Sequence, residues 1–343
     1  MPPKSPPFTR RRGDRSQALR RAFQAAFLLL NLWIGVLFYL FVRSWETGAT
    51  TPAVSRPPGV EGWLPIAGLM NLKLLLVTGT FPRVHPAGLF LLLAFVGISF
   101  AFRKSFCSWL CPIGTISEWL WRAGRAIFRK NVELPRRLDV ALRSLKYVLL
   151  AFFLWAVAGM SADALQGFMT SPYGLVADVK MLDFFRDLSV VGVSVLLALA
   201  VFSLLVRNAW CRYLCPYGAL LGLVSSASPV RIRRDPAACI DCAKCARACP
   251  SALPVDGLLS VTSAECTGCL ECVAACPVQG ALDLGVTRRR RIPAPAMAAG
   301  IAVIFLGLVA LAHLTGHWHT SLPAEVYRAL VPAADSLTHP YGG

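Results

Sequence analysis

Five apolar stretches without a charged residue constrain this 343-residue chain more than any other feature of its sequence. They lie at residues 22–42, 87–102, 147–162, 188–206 and 292–312. A helix that crosses a bilayer needs about 20 predominantly apolar residues, with a range of about 17 to 25. The two shorter stretches can be extended by flanking residues with long side chains. The sequence therefore predicts an α-helical integral membrane protein with five transmembrane helices.

The composition agrees with a membrane protein, because only 15% of the residues are charged, whereas about a quarter are charged in a soluble domain. Of the 35 Lys and Arg residues, 27 lie in 1–21, 103–144 and 207–291. Loops that stay in the cytoplasm retain basic residues, so these three segments are predicted to be cytoplasmic and the C-terminal tail periplasmic. A multi-pass topology in a bacterial inner membrane explains the net charge of +17. The predicted surroundings are membrane lipid, with no nucleic-acid partner.

Two cysteine runs, at residues 239–250 and 266–277, both read C-x2-C-x2-C-x3-C-P. In bacterial two-cluster ferredoxins this spacing lets three close thiolates bind one cluster while the fourth binds the other. Zinc knuckles use two pairs of ligands and have no need for a third C-x2-C step. We therefore predict two [4Fe-4S] clusters in an inserted α+β ferredoxin module. The first has the ligands Cys239, Cys242, Cys245 and Cys276, and the second has Cys266, Cys269, Cys272 and Cys249.

A second motif, C-x3-C-P, is duplicated. It occurs in residues 103–114 and 207–218 at a constant offset of 104, each time directly after an even-numbered apolar stretch. The repeat unit is therefore two membrane helices plus one cysteine pair, and a parallel duplication places both pairs at the same membrane depth. If each helix continues to its cysteines, the thiols at i and i+4 lie on one face.

The four cysteines of this duplication are Cys107, Cys111, Cys211 and Cys215. Three roles remain open for them on sequence grounds. They could hold a third cluster, hold a soft metal such as copper(I), or act as two redox dithiols.

These features divide the chain into five predicted parts. They are a basic cytoplasmic tail (1–21), a four-span membrane core (22–228), the ferredoxin module (229–291), a fifth transmembrane helix (292–314) and an outer-side tail (315–343). Residues 62–79 are apolar but contain Pro65, Asn71 and Lys73. This segment is predicted to be an interfacial or re-entrant helix on the outer side rather than a sixth span.

Duplicated C-x3-C-P elements after membrane helices, followed by a two-cluster ferredoxin, resemble the membrane polyferredoxins. The resemblance covers about residues 20–290 and is closest to the NapH-type subunits associated with periplasmic nitrate reduction. Related groups are the NosR-type proteins, linked to nitrous oxide reduction, and the FixG/RdxA-type proteins, linked to copper loading of a terminal oxidase. The resemblance implies quinol oxidation and onward electron delivery, as in a quinol dehydrogenase component. The implied partner is a reductase or a second iron-sulfur subunit.

His85 directly precedes the second apolar stretch. At that position a quinone head group would meet the outer membrane interface, which makes His85 the candidate quinone-binding residue. A histidine at an interface also serves as a polar anchor. The sequence leaves both roles open.

Two function classes follow from these observations. The first is an electron-transfer protein that passes electrons between the quinone pool and a partner enzyme through its clusters. The second is a copper reductase or assembly factor in which ferredoxin electrons act at the membrane cysteines. The sequence has no C-x2-C-H motif for a c-type haem and neither a P-loop nor a G-x-G-x-x-G fingerprint. No catalytic residue is predicted.

Overall fold

The computed structural model describes residues 9–10, 13–48, 50–287 and 289–340, and it is predominantly helical. Helices of the described part, numbered in chain order, are α1 Ser16–Glu46, α2 Pro65–Thr78, α3 Pro86–Phe102, α4 Phe106–Trp109, α5 Pro112–Phe128, α6 Arg136–Gly159, α7 Ala162–Thr170, α8 Pro172–Leu175, α9 Ala177–Arg186, α10 Val190–Leu205, α11 Pro216–Ser226, α12 Lys244–Ala248, α13 Glu271–Ala275, α14 Ala294–Leu314 and α15 Ala324–Leu330. The strands are β1 Arg231–Arg234 and β2 Leu282–Gly285, and a π-helical turn covers Trp210–Leu214.

A helix occupies each of the five apolar stretches, but not all five are long enough to cross a membrane alone. Within the described residues α1, α6 and α14 qualify by length and composition, and α9 with α10 adds a fourth if this pair, bent by 81°, is one span. Helix α3 has 17 residues, which is about 25 Å at 1.5 Å per residue. The protein is thus a helical membrane protein with three to four candidate spans.

The membrane helices do not run on to the C-x3-C-P cysteines, so the condition under which the thiols at i and i+4 would share one face of a continuing helix is not met. Helix α3 ends at Phe102, and the next residue, Arg103, has a left-handed φ of 63°. Helix α10 ends at Leu205, and Asn208 has a φ of 51°. A left-handed residue cannot continue a right-handed helix. These two breaks also explain why α3 and α10 are short.

The described chain forms two compact units. Unit 1 comprises Met1–Leu28, Phe95–Leu150 and Leu199–Ile304, and unit 2 comprises Leu29–Ala94, Ala151–Ala198 and Phe305–Gly343. All twelve cysteines fall in unit 1. His85 falls in unit 2.

The ferredoxin segment of unit 1 is a small α+β element. Strands β1 and β2 pair antiparallel, with Ile232 opposite Leu284. Both of these side chains are buried, and they are joined in the interior by Leu253, Val261, Leu270, Val273 and Leu282. The helices α12 and α13, of five residues each, pack against one another. Each contains the third cysteine of one ferredoxin run, so this packing brings the two runs together.

Unit 2 has its own apolar core. It is centred on Phe38, Phe41, Val42 and Trp45 of α1, which pack against Val176, Val179, Tyr327 and Val331. Residues 65–78 form helix α2, so the predicted helix within 62–79 is present; its membrane depth stays a prediction. The buried Asn71 side chain donates hydrogen bonds to the carbonyls of Val84 and His85, at 3.0 and 2.9 Å. These bonds hold the left-handed His85, with a φ of 51°, at the start of α3.

Candidate functional site

The two ferredoxin runs share an unusual backbone. Residues two and four positions after the first cysteine are left-handed in both runs, with φ of 49° and 53° at Asp241 and Ala243 and 60° at both Gly268 and Leu270. Alternation of right- and left-handed residues points successive backbone N–H groups into one concavity, as in many iron-sulfur sites. Non-glycine residues keep this costly conformation only where the surroundings require it. The backbone therefore fits the wrapping of a negatively charged cluster.

The fourth cysteine of the first run lies with the other run. Cys249 lines one cavity together with Cys266, Cys269 and Cys272, and the remaining walls are largely apolar. Leu253 donates its backbone N–H towards the sulfur of Cys249 at 3.5 Å. Burial raises the pKa of the Cys269 thiol to about 12, with Arg20 opposing the shift. Burial also raises the pKa of Cys249 and Cys272, and buried thiols of this kind suit a cationic iron core, which stabilises their thiolates.

The other predicted group is assembled less completely. Burial raises the pKa of Cys245, and the neighbouring Cys276, from the second run, contributes to the shift. Cys239 and Cys242 are half-buried in the first run. The structure thus brings Cys276 of the second run close to the first run, as expected if Cys276 is the fourth ligand of the first cluster.

The four C-x3-C-P cysteines lie close together, although 104 residues separate the first pair from the second in sequence. Burial raises the pKa of Cys211, and Cys215, Cys111 and Cys107 each add to that shift because their negative charges would lie close by. Burial likewise raises the pKa of Cys107 to about 12 and that of Cys111 to about 11. The structure therefore brings the two cysteine pairs close together, although each membrane helix ends before its cysteines.

The repeated spacing of the motif has a local physical basis in both copies. Pro112 and Pro216 are the first residues of α5 and α11, where proline is favoured, and the cysteine before each is the N-cap residue. Gly218 donates its N–H to the Cys215 sulfur at 3.2 Å. A Cβ at Gly114 would lie 2.0 Å from the carbonyl oxygen of Cys107, so glycine is required there. The motif thus aims a thiol at a helix N-terminus, which favours thiolates.

A small cavity lies where the membrane cysteines meet the ferredoxin segment. Cys107 and Cys211 line it from one side, and Cys269 of the ferredoxin lines it as well. The ferredoxin loop is held there by two further hydrogen bonds. Ser108 donates to the Thr267 carbonyl at 2.6 Å, and the Trp109 indole donates to the Gly268 carbonyl at 3.2 Å. Two groups of candidate ligands are therefore immediate neighbours.

Buried ion pairs, which sequence reasoning missed, surround this junction. Arg20 pairs with Glu118 at 2.6 Å and with Glu271 at 2.7 Å. Lys146 pairs with Glu265 at 2.6 Å. Glu265 and Glu271 directly precede the cluster-ligand candidates Cys266 and Cys272, so the pairs fix the ferredoxin loops. The available signal was the position of Arg20 and Lys146 at the edges of apolar stretches, where an unpaired charge is costly.

No three His, Cys, Asp or Glu side chains in the described ranges meet the geometry of a single metal ion. Four thiolates around a cubane each bind a different iron, so they lie farther apart than the ligands of one ion.

Unit 2 contains a cavity of about 830 Å³ with mostly apolar walls. Its lining includes Ile66, Ala67, Met70, Phe152, Phe153, Ala156, Val157, Phe168, Met169 and Met181, together with the polar residues His85, Tyr173, Lys180 and His339. Ligand sites in proteins commonly combine such apolar walls with a few placed polar groups.

A buried charged group stands behind His85 in unit 2. Arg56 lies 2.7 Å from Glu61 and 2.7 Å from Asp178, and all three are at most 8% exposed. The ring nitrogens of His85 lie 3.2 Å from Arg56 and 3.0 Å from the Gly174 carbonyl. Burial opposes ionisation of Glu61, but Arg56 and His85 together outweigh it and hold the pKa of Glu61 below its usual value. The network fixes His85 at the cavity wall.

Two protein-family models match the chain. One is described as a 4Fe-4S binding domain and matches residues 84–135 and 188–234. The other is described as a 4Fe-4S dicluster domain and matches residues 231–282. The first match covers both C-x3-C-P elements, and the second covers both ferredoxin runs.

Several proteins are similar to this chain. YccM of Escherichia coli strain K12, whose name describes an electron transport protein, is 47% identical over 326 residues, or 93% of this chain and 91% of YccM. The methylamine utilization ferredoxin-type protein MauN of Methylobacillus flagellatus is 28% identical over 226 residues, or 64% of each chain. The ferredoxin-type protein NapH of Escherichia coli is 29% identical over 151 residues, or 43% of this chain and 48% of NapH. No solved structure matches the chain significantly.

Proposed function

Since this chain belongs to the membrane polyferredoxins, a family of iron-sulfur electron-transport proteins, we propose that it passes electrons between the quinone pool and a partner redox enzyme. The observation that carries the proposal is the cavity lined jointly by Cys107, Cys211 and Cys269. It makes the membrane cysteines and the ferredoxin cysteines neighbours. Such an arrangement suits a chain of one-electron carriers.

Three groups of four cysteines would hold the carriers. The two ferredoxin groups are those with Cys276 and Cys249 as their fourth ligands, and the third is formed by the membrane cysteines. Each [4Fe-4S] cluster, when bound, takes up and releases one electron. For the third group, the match of a 4Fe-4S binding model to both C-x3-C-P elements supports a cluster over copper or dithiols.

The quinone would bind in the cavity of unit 2. Its apolar walls suit a ring with an isoprenoid tail. His85 would lie at the wall of this site, held by Arg56 and the Gly174 carbonyl, which occupy both of its ring nitrogens. The polar contact to a quinone oxygen would therefore come from Tyr173 or Lys180 of the same lining. This assignment keeps His85 in the wall of the predicted quinone site and adds a volume for the substrate.

The distribution of basic residues supports an inner-membrane topology with the ferredoxin segment in the cytoplasm and the C-terminal tail in the periplasm. MauN and NapH are named as ferredoxin-type proteins. We infer that this chain works as a subunit beside a redox enzyme. The partner would be a reductase or a second iron-sulfur subunit.

The first experiment is anaerobic purification, iron quantification and addition of a reduced quinol, with cluster reduction followed by EPR. We expect about twelve irons per chain, corresponding to three cubanes, and prompt reduction by quinol. Intact clusters that dithionite reduces but quinol does not would contradict quinol oxidation. About eight irons together with stoichiometric copper would favour the copper reductase or assembly factor.

Changing both Cys107 and Cys211 to alanine should remove the third cluster selectively. We expect the iron content to fall by about four per chain while the ferredoxin EPR signals persist, because the two ferredoxin groups keep all their ligands. The matched control changes Ser105 and Ser144 to alanine, which removes two hydroxyls and no thiol. An unchanged iron content in the cysteine variant would contradict a cluster at the membrane cysteines.

Filling the unit 2 cavity should block quinol without disturbing the clusters. Ala156 of α6 lines the cavity, and Ala156→Trp is expected to slow quinol-dependent reduction at least about tenfold, or about 1.4 kcal/mol. Reduction by dithionite should be unchanged. Ala198→Trp is the control, because Ala198 is an exposed residue of α10 in the same unit. Equal quinol rates in both variants would place the quinone elsewhere.

A further inference from the structure

One cation at the junction cavity has no ion-pair partner among the described residues. Lys104 is 2% exposed and lines the cavity beside Cys107 and Cys211. Among the other charged residues of the lining, Glu118 is paired with Arg20 and Arg212 with Asp139. Glu265 is paired with Lys146, and the charge of Lys104 also lowers its pKa, so two cations share this one carboxylate. The surplus positive charge is costly in a buried site unless a further negative group compensates it.

The cation breaks the internal symmetry of the site. At the repeat offset of 104, Lys104 corresponds to Asn208, and both residues line the same cavity. The positive charge that Lys104 places near the four cysteines therefore has no counterpart at the equivalent position of the second repeat. Filling this position does not require a charged side chain, because the neutral Asn208 fills the equivalent position.

A cubane with four thiolates is the negative group that suits this position. It carries a net negative charge that grows by one on reduction. In a site of low dielectric constant, a nearby cation favours the more negative form much more strongly than it would in water. The effect of Lys104 on Cys107 and Cys211 has this sign, since its charge opposes the rise in the pKa of both thiols.

We propose that Lys104 sets the reduction potential of the group held by Cys107, Cys111, Cys211 and Cys215, raising it relative to the neighbouring ferredoxin group. The inference rests on the proposed third cluster. Lys104 acts through charge and is not a ligand. For Cys269 of the neighbouring group, the cation that opposes the rise in pKa is Arg20 instead. The membrane cysteines and the ferredoxin group thus have different neighbouring cations. Removing the charge of Lys104 shifts the electron-exchange equilibrium towards a reduced ferredoxin cluster.

The test is an EPR redox titration of the purified full chain. Lys104→Gln, which keeps most of the side-chain length and removes the charge, should shift the equilibrium for electron exchange with the ferredoxin at least about tenfold, or about 59 mV for a one-electron couple. Lys104→Arg retains the charge and should retain the potential. Asn208→Asp is nearly isosteric, suits the left-handed φ of 51°, and should lower the potential by adding a negative charge.

Iron content separates the outcomes. A full complement of iron with an unchanged midpoint in both Lys104→Gln and Asn208→Asp would overturn the role of Lys104 and leave the third cluster standing. If Lys104→Gln loses iron, the midpoint of Asn208→Asp decides, and an unchanged value there overturns the inference. A parent protein without iron at the membrane cysteines would overturn the third cluster itself.

Discussion

Cys249→Ala is expected to destroy the cluster of the second ferredoxin run and to spare the cluster of the first run, although Cys249 belongs to the first run in sequence. The structure places Cys249 in one cavity with Cys266, Cys269 and Cys272. Removing one of four ligands from a buried cubane exposes an iron that no other described thiol in that cavity can bind. We expect a loss of about four irons per chain.

Comparing the EPR spectra of matched alanine variants tests which cysteines bind which ferredoxin cluster. Under crossed ligation, the residual EPR spectrum of Cys249→Ala should match that of Cys269→Ala, and the spectrum of Cys276→Ala should match that of Cys242→Ala. Alanine is preferred to serine because a serine oxygen can replace a thiolate. If Cys249→Ala instead gives the spectrum of Cys242→Ala, each run binds its own cluster and the crossed arrangement is wrong.

Arg56→Ala should be the most destabilising single substitution in unit 2. Arg56 is the cation that neutralises Glu61 and Asp178, which are 1% and 0% exposed. Removing one partner of a buried ion pair leaves an uncompensated charge and typically costs about 3–5 kcal/mol. Thermal unfolding in detergent, followed by tryptophan fluorescence, measures the effect. Arg43→Ala is the control, because its side chain is 56% exposed and its pair with Glu46 spans 3.4 Å; we expect a loss of at most about 1 kcal/mol.

The same network predicts a pH dependence with a definite sign. The folded-state pKa of Glu61 is lowered, since Arg56 and His85 together outweigh the opposing effect of burial. The stability from this carboxylate is therefore present above its unfolded-state pKa and is lost as the pH falls towards the folded-state value. In Arg56→Ala the dependence should reverse, because protonation then relieves a buried charge. If Arg56→Ala is as stable as Arg43→Ala at neutral pH, and if its stability falls at low pH as that of the parent does, this account is wrong.

Much of the architecture could be predicted because it depends on neighbours in sequence. The apolar stretches at 22–42 and 292–312 predict long helices, and α1 and α14 are present there. The C-x2-C-x2-C loops could be recognised because three ligands of one cluster are separated by only a few residues. The local glycine and proline of the C-x3-C-P motif likewise explain the thiols at the starts of α5 and α11.

The helical membrane class, the ferredoxin module and the candidate ligands could be predicted without a structure, since each follows from spacing along the chain. Which distant groups meet depends on the tertiary packing. The structure ends α3 and α10 at left-handed residues and pairs Lys146 with Glu265. The Lys146–Glu265 contact depends on packing between residues more than 100 positions apart, and a charge beside an apolar stretch looks the same in sequence whether it meets water or a buried partner.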